Sequence, residues 1–417
     1  MRYLFGFLCV CALGLMPLIG CSESNNTFEC GDFTPKLTAD GREVIYRRDI
    51  CEPPECTLIT CFPNVVDSHL LVHDVETRAM SQLPLKALAF DVSSDGGVIV
   101  YIANAELAAI YDRGSGNTTR LDIAEFGMFL FPGPAPPSIS GNGQVVALTI
   151  VRRDGDGPQN AIFLYDRATE QIERATTQPL TYKPSLSNDG RFLAFQTGPG
   201  LSGVDTAIHV LDRATGQSAL VSVNSDGEPA NAASFDPVIS GDGRFVVFSS
   251  AATNLIAPSP PPPIDGPGSE FAEVYLHDRE TGTTSLISTA ADSGEPSGGR
   301  SSPDAGLIVP HAISTDGQFI VYESDADNIV PVEGQASAPG NNVYRHDAGT
   351  DSTTRVSINS LGKPANGFST DPSISDDGRF IAFITTSTNL DPDDVDSDQD
   401  VYLHDVRLGE TIWVSRD

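Results

Sequence analysis

Ile374-Ser375-Asp376-Asp377-Gly378-Arg379-Phe380-Ile381-Ala382-Phe383 decides how this chain folds. Asp-Gly between apolar runs is the strongest short-range hairpin signal, because glycine takes positive φ at no steric cost. A type I′ turn is expected, with positive φ at both central residues. The run after the turn is apolar on consecutive residues, not alternate ones. Such a strand is covered on both faces, so sheets must stack on either side of it.

Outward from this stretch the phrase recurs. An apolar residue, Ser or Thr, one further residue and Asp-Gly or Asn-Gly stand at 37–41, 92–96, 139–143, 186–190, 239–243, 313–317 and 374–378. A second turn follows within the repeat, as in Val274-Tyr275-Leu276-His277-Asp278-Arg279-Glu280-Thr281-Gly282 before the strand 284–288. Matches stand at 208–216 and 401–405. The Asp bonds the turn backbone there, and the Gly takes the left-handed position. Each repeat therefore holds four strands. The anchors are spaced by 55, 47, 47, 53, 74 and 61 residues, and 40 residues follow Asp377. Forty residues accommodate one four-stranded propeller blade, and the excess elsewhere is inserted loop. Seven units without a sustained helical period give an all-β, seven-bladed β-propeller over residues 33–417. Six blades, with the first repeat as a cap, is the alternative. The last strand falls at 412–415, a fourth strand, so ring closure rests on packing and not on a shared blade.

Composition agrees with a globular body. Of 417 residues, 40% are apolar and 19% charged, with 56 acids against 25 Lys+Arg and a net charge of -31. Nothing here neutralises phosphates at scale, so nucleic acid is excluded as a partner, as is charge-driven docking on anionic lipid.

The N-terminus reads as a compartment signal. A basic start precedes an apolar run from Leu4 to Leu18, too short for a bilayer span, and ends in Leu18-Ile19-Gly20-Cys21. This resembles the lipobox of bacterial lipoproteins. Residues 1–20 are expected to be a signal peptide, Cys21 to carry diacylglycerol and palmitate, and 21–32 to be a tether. Ser22, in place of Asp, matches the pattern sent to the outer membrane. Several acyl chains anchor stably where one would not. Loss of Arg2 takes the side-chain charge to -32. In an oxidising compartment Cys30, Cys51, Cys56 and Cys61 read as two disulfides of unassigned connectivity. A zinc site fits them less well, because the spacing lacks a paired Cys-x2-Cys.

With the repeats in hand, the Ser-x-Asp-Gly-Arg-Phe phrase and Val-Tyr-Leu-His-Asp-Arg-x-Thr-Gly resemble the TolB-like, WD-like propeller repeat of exported bacterial proteins. The resemblance covers residues 33–417. It implies a propeller fold and an envelope binding partner. TolB itself has six blades and an added N-terminal α/β domain, for which this sequence has no room.

Insertions are expected between second and third strands. One holds the cysteines, and another is a polyproline arm at 257–268. The sharpest charged feature is Asp391-Pro392-Asp393-Asp394-Val395-Asp396-Ser397-Asp398-Gln399-Asp400. A hard cation wants several carboxylate oxygens at short spacing, so Asp394, Asp396, Asp398 and Asp400 are candidate Ca2+ ligands, with a solvated acidic loop as the alternative. The run departs from an EF-hand: Gln399 stands where Gly belongs, and no Glu closes the loop. His73, His277, His346 and His404 each precede Asp. They share a repeat position that elsewhere holds Tyr111, Tyr165 or Leu211, which marks them as structural. No nucleophile elbow or phosphate loop is present, and no residue is assigned as catalytic. The expected function is a non-catalytic, lipid-anchored envelope scaffold for a protein or glycan. The alternative is a propeller-fold lyase or glycosidase with a cation-dependent site.

Overall fold

The computed structural model describes residues 28–52, 64–104, 107–121, 128–130, 136–154, 157–176, 180–198, 206–256, 272–289, 301–302, 313–326, 328–330 and 341–416. The signal segment, Cys21, Cys56, Cys61 and the polyproline arm lie outside them.

The described strands form seven antiparallel sheets, each a meander of four consecutive strands. Blade 1 is β1 (Phe28–Leu37), β2 (Glu43–Glu52), β3 (Asn64–Asp74) and β4 (Met80–Gln82). Blade 2 is β5 (Ala89–Val92), β6 (Val98–Asn104), β7 (Leu107–Asp112) and β8 (Asn117–Leu121). Blade 3 is β10 (Ser138–Ile139), β11 (Val145–Asp154), β12 (Gly157–Asp166) and β13 (Gln171–Arg174), with β9 (Met128–Leu130) added beside β11. Blade 4 is β14 (Thr181–Leu186), β15 (Phe192–Thr197), β16 (Ala207–Asp212) and β17 (Gln217–Leu220). Blade 5 is β18 (Ser234–Ile239), β19 (Phe245–Ser250), β20 (Glu273–Asp278) and β21 (Thr283–Leu286). Blade 6 is β22 (Ser301–Ser302), β23 (Phe319–Ser324), β24 (Asn342–Asp347) and β25 (Ser352–Arg355). Blade 7 is β26 (Ser369–Ile374), β27 (Phe380–Thr385), β28 (Asp400–Asp405) and β29 (Glu410–Trp413). The seven-bladed expectation holds and the six-bladed alternative falls. β1 begins at Phe28, so part of the segment read as tether is strand. Cys30 and Cys51 lie on β1 and β2, not in an insertion, because these strands run to ten residues.

The repeated phrase has a physical reason at each position. Ser187 Oγ accepts from Phe192 N (3.0 Å) and donates to Asp189 Oδ1 (2.7 Å), which also accepts from Arg191 N (2.9 Å). Ser375, Asp377, Arg379 and Phe380 repeat these bonds in blade 7. The turn is therefore satisfied internally. It is not the type I′ turn expected. The loop between the paired residues Thr38 and Glu43 has four residues, and only its glycine has positive φ (72° at Gly41). A longer loop relieves the aspartate of the left-handed conformation.

The glycine serves the neighbouring blade too. A Cβ at Gly243 would strike the Phe192 ring, and one at Gly378 the Phe319 ring. Phe192, Phe245, Phe319 and Phe380, which open the second strands of blades 4 to 7, thus fill the space that the next blade's glycine leaves. Cores lie between blades accordingly. Leu37, Val44, Tyr46 and Leu71 of blade 1 pack with Ala382, Val401, Leu403 and Val414 of the last blade's segment. This seam closes the ring. Asp376 N donates to Ala39 O (2.8 Å), Leu37 N to Ser373 Oγ (2.9 Å) and Arg48 Nη2 to Ser415 O (2.7 Å) across it. No strand is exchanged, as the sequence led us to expect. Among the described residues no helix is long and apolar enough to cross a membrane.

Candidate functional site

An up-and-down meander puts the 1–2 and 3–4 turns on one face of the disc. The 2–3 connections leave from the other. The Asp-Gly turns meet at the axis of the first face. These turns bond from blade to blade: Ala39 N to Ser94 O (2.8 Å), Ser94 N to Gly141 O (2.9 Å), Asn142 N to Asn188 O (2.9 Å), Asn188 N to Gly241 O (2.8 Å) and Asp242 N to Thr315 O (3.0 Å). Asn188 also reaches across the ring. It donates through Nδ2 to Thr315 Oγ1 (3.1 Å) and accepts at Oδ1 from Ser94 Oγ (3.4 Å). Gly141 and Gly241 flank it because a Cβ at either would fall on its amide. The axis is therefore filled at the turn face by blades 2, 4 and 6.

Charges on the inner strands hold blades together. Lys36 Nζ lies 3.9 Å from Asp91 Oδ1, and both are buried. Asp91 Oδ2 accepts from Ile139 N (2.9 Å). Burial pushes the Asp91 carboxyl up to about 6, against the pull of Lys36. Lys183 and Asp236 pair between blades 4 and 5. Lys183, Asp236, Asp371 and Thr34 all have positive φ (54°, 56°, 50° and 48°) at register shifts of the inner strand, each just before a proline.

His277, His346 and His404 are tied into the structure by neighbouring threonines. His277 Nδ1 pairs with Thr284 Oγ1 (2.9 Å), and that hydroxyl donates to Val223 O (2.6 Å). His404 and Thr411 repeat this, with Ile358 O as the acceptor. Since Thr spends its proton on the carbonyl, the imidazole must donate from Nδ1. Burial lowers all of these histidines, His404 to about 4. Pro229-Ala230-Asn231 and Pro364-Ala365-Asn366 recur between blades and fix the inter-blade turn. Asn254 Nδ2 caps Pro229 O, and Asn389 Nδ2 caps Pro364 O (2.9 Å each).

The 2–3 connection of blade 7, residues 386–399, carries the Asp run. It brings one carboxylate oxygen each from Asp394, Asp396 and Asp400 within 4.8 Å of one another. Asp398, the fourth expected ligand, stands outside that group, and its N–H donates to Asp396 Oδ1 (3.1 Å). Asp394 is 3% exposed and accepts from the Tyr402 hydroxyl at Oδ2 (2.7 Å). Asp400 Oδ1 accepts from Trp413 Nε1 (2.8 Å) and Ser415 Oγ (2.7 Å). Burial raises Asp394, Asp398 and Asp400, the last to about 6, and neighbouring acids add to it.

A cavity of about 310 Å³ opens on the turn face, lined by Arg345, Asp377, Gly378, Arg379, Val406 and Arg407. Sequence reasoning missed it, although a signal existed. Blades 2 to 5 place Arg113, Arg167, Arg213 and Arg279 after the third strand, each donating to the carbonyl of its own blade's turn glycine. In blade 7 that position is Val406, and Arg345 of blade 6 bonds Gly378 O instead (2.8 Å).

No family model matches the chain, and no curated protein is similar to it. Solved structures are. The β-propeller domain of the Trilobed protease from Pyrococcus furiosus, described as having an open velcro topology, is 10% identical (93% of this chain, 98% of that one, TM-score 0.56). Oligogalacturonate lyase from Vibrio parahaemolyticus is 11% identical (91% of each chain, TM-score 0.55). TolB from Acinetobacter baumannii is 17% identical (93% and 79%, TM-score 0.41). The likenesses to the first two show the propeller fold and nothing finer.

Proposed function

We propose that the protein is a non-catalytic binding scaffold of the bacterial envelope. It is anchored in the outer membrane through Cys21 and takes a protein or glycan partner on the face of the 2–3 connections. One observation carries this reading. The groups best suited to chemistry are spent on joining blades: Lys36 on Asp91, Lys183 on Asp236, and His277 and His404 on threonines that reach the preceding inter-blade segment. Groups locked in this way position structure and do not exchange protons with a substrate.

Pull-down from crosslinked envelopes should recover one dominant partner with the mature chain, and lose it when Cys21→Ser abolishes anchoring. A second reading, a lyase or glycosidase with a cation-dependent site, draws on the convergence of Asp394, Asp396 and Asp400. Glycan breakdown that needs a divalent cation would replace the first reading by the second.

A further inference from the structure

We infer that Asp394, Asp396 and Asp400 form a Ca2+ site on the 2–3 connection of the last blade. Clustered acids alone would not say so, since exposed acidic loops are common. The decisive observation is Asp394 Oδ1. It is buried and makes no hydrogen bond of good geometry, the Asp396 N–H only approaching the carboxyl, although that carboxyl belongs to the group of three whose oxygens converge within 4.8 Å. A buried carboxylate oxygen left unsatisfied is costly unless something occupies its lone pairs. Among the described residues none of the three carboxylates carries an ion pair. The nearby Arg416 is committed to Asp393 Oδ2 (2.6 Å).

Comparison of repeats within the chain shows that the site is built, not incidental. In blades 5 and 6 the equivalent tyrosines donate to backbone carbonyls: Tyr275 to Ala252 O (3.3 Å) and Tyr344 to Ala326 O (3.2 Å). In blade 7 the Tyr402 hydroxyl turns to the Asp394 carboxylate, which fixes the orientation of that group. Trp413 and Ser415 fix Asp400 in the same way. Two carboxylates held by neutral donors and a third, exposed Asp396 make an all-oxygen set with no His or Cys. That set suits a hard cation. An irregular loop that offers carboxylates at uneven spacing suits calcium, which tolerates six to eight ligands in flexible geometry. Magnesium demands a near-ideal octahedron. The bound ion would tie the acidic connection to β28.

Trp413 is the chain's single tryptophan and its indole N–H touches Asp400, so it reports on this site alone. The probe is Tb3+, with excitation at the red edge of indole absorption. Wild-type protein should show sensitised Tb3+ emission that Ca2+ displaces at least ten-fold more effectively than Mg2+. Asp396→Asn, at an exposed position, should fold as the wild type does in EDTA yet lose at least ten-fold in Tb3+ and Ca2+ affinity. Asp398→Asn should lose less than three-fold. Absence of sensitised emission, an unaffected Asp396→Asn, or equal competition by Mg2+ would overturn the assignment. None of these outcomes depends on the partner or on catalysis.

Discussion

Replacing Gly378 by Ala should weaken the joint between blades 6 and 7 far more than the same change at Gly409. Both residues have positive φ, 68° and 69°. Alanine pays about 1–2 kcal/mol for that conformation at either position. Around Gly409 a Cβ would meet nothing within 4 Å, so the cost ends there. At Gly378 it would enter the Phe319 ring. That ring cannot swing aside, because the Arg345 guanidinium lies 4.0 Å from its centroid and is itself tied to Gly378 O. Overpacking of this kind adds about 1–3 kcal/mol. Gly378→Ala should therefore cost about 2–5 kcal/mol in total. Urea denaturation followed by Trp413 fluorescence measures both variants in the same blade. A Gly378→Ala plus Phe319→Ala pair should show favourable coupling of about 1–3 kcal/mol. Equal midpoints for the two glycine variants, or zero coupling, would refute the idea that glycine here makes room for the preceding blade.

The remaining predictions concern buried titratable groups and the axis. His404 titrates near 4 when folded and near 6.5 when unfolded, so the unfolded chain binds more protons between those values. The stability this contributes is complete above pH 6.5 and is lost as pH falls through 4, by up to about 3 kcal/mol. His404→Gln should flatten the pH 4–7 stability profile by a measurable part of that amount, and an unchanged slope would count against it. Asp91→Ser should keep the bond to Ile139, since Ser185 makes the same bond to Ile239 N (3.1 Å), but it deprives Lys36 of its acid. A loss of about 3–5 kcal/mol is expected, and Lys36→Val should restore most of it in the double variant. Asn188→Ala should cost about 1–3 kcal/mol for the two side-chain bonds across the ring, read by thermal unfolding.

Much of this architecture can be read from local phrases. Ser/Thr-x-Asp/Asn-Gly followed by an apolar run marks a turn and a buried strand, so counting its seven copies counts blades. His277 and His404 were legible as structural because Leu211 occupies the same repeat position. Asp394, Asp396 and Asp400 were legible as a group because they crowd into one short run. Asp398 stands outside that group, and spacing along a loop does not say which carboxylates turn together. The axial role of Asn188 was not legible either. It depends on blades 2 and 6 meeting across a closed ring, and nothing local to residue 188 encodes that distance. The left-handed residues before Pro184, Pro237 and Pro372 escaped notice for a different reason. A residue before proline is ordinarily extended, and only the bulge in the inner strand overrides that preference. The exchange of Arg345 for the residue missing at position 406 needed a comparison between blades, not within one.

The seam between blades 1 and 7 also bears on how the molecule folds. Six of its seven inter-blade joints link units that are neighbours in sequence and can form as the chain grows. The seventh joins residues such as Leu37 and Ser373, which are 336 positions apart. Its closure entropy is the largest in the ring, and its contacts contribute to the folding rate last. Until the last blade arrives, Tyr46 and Leu71 lack the apolar cover that Ala382, Val401, Leu403 and Val414 give them. A chain threaded through a membrane from its N-terminus would thus expose one adhesive edge for the whole of its passage.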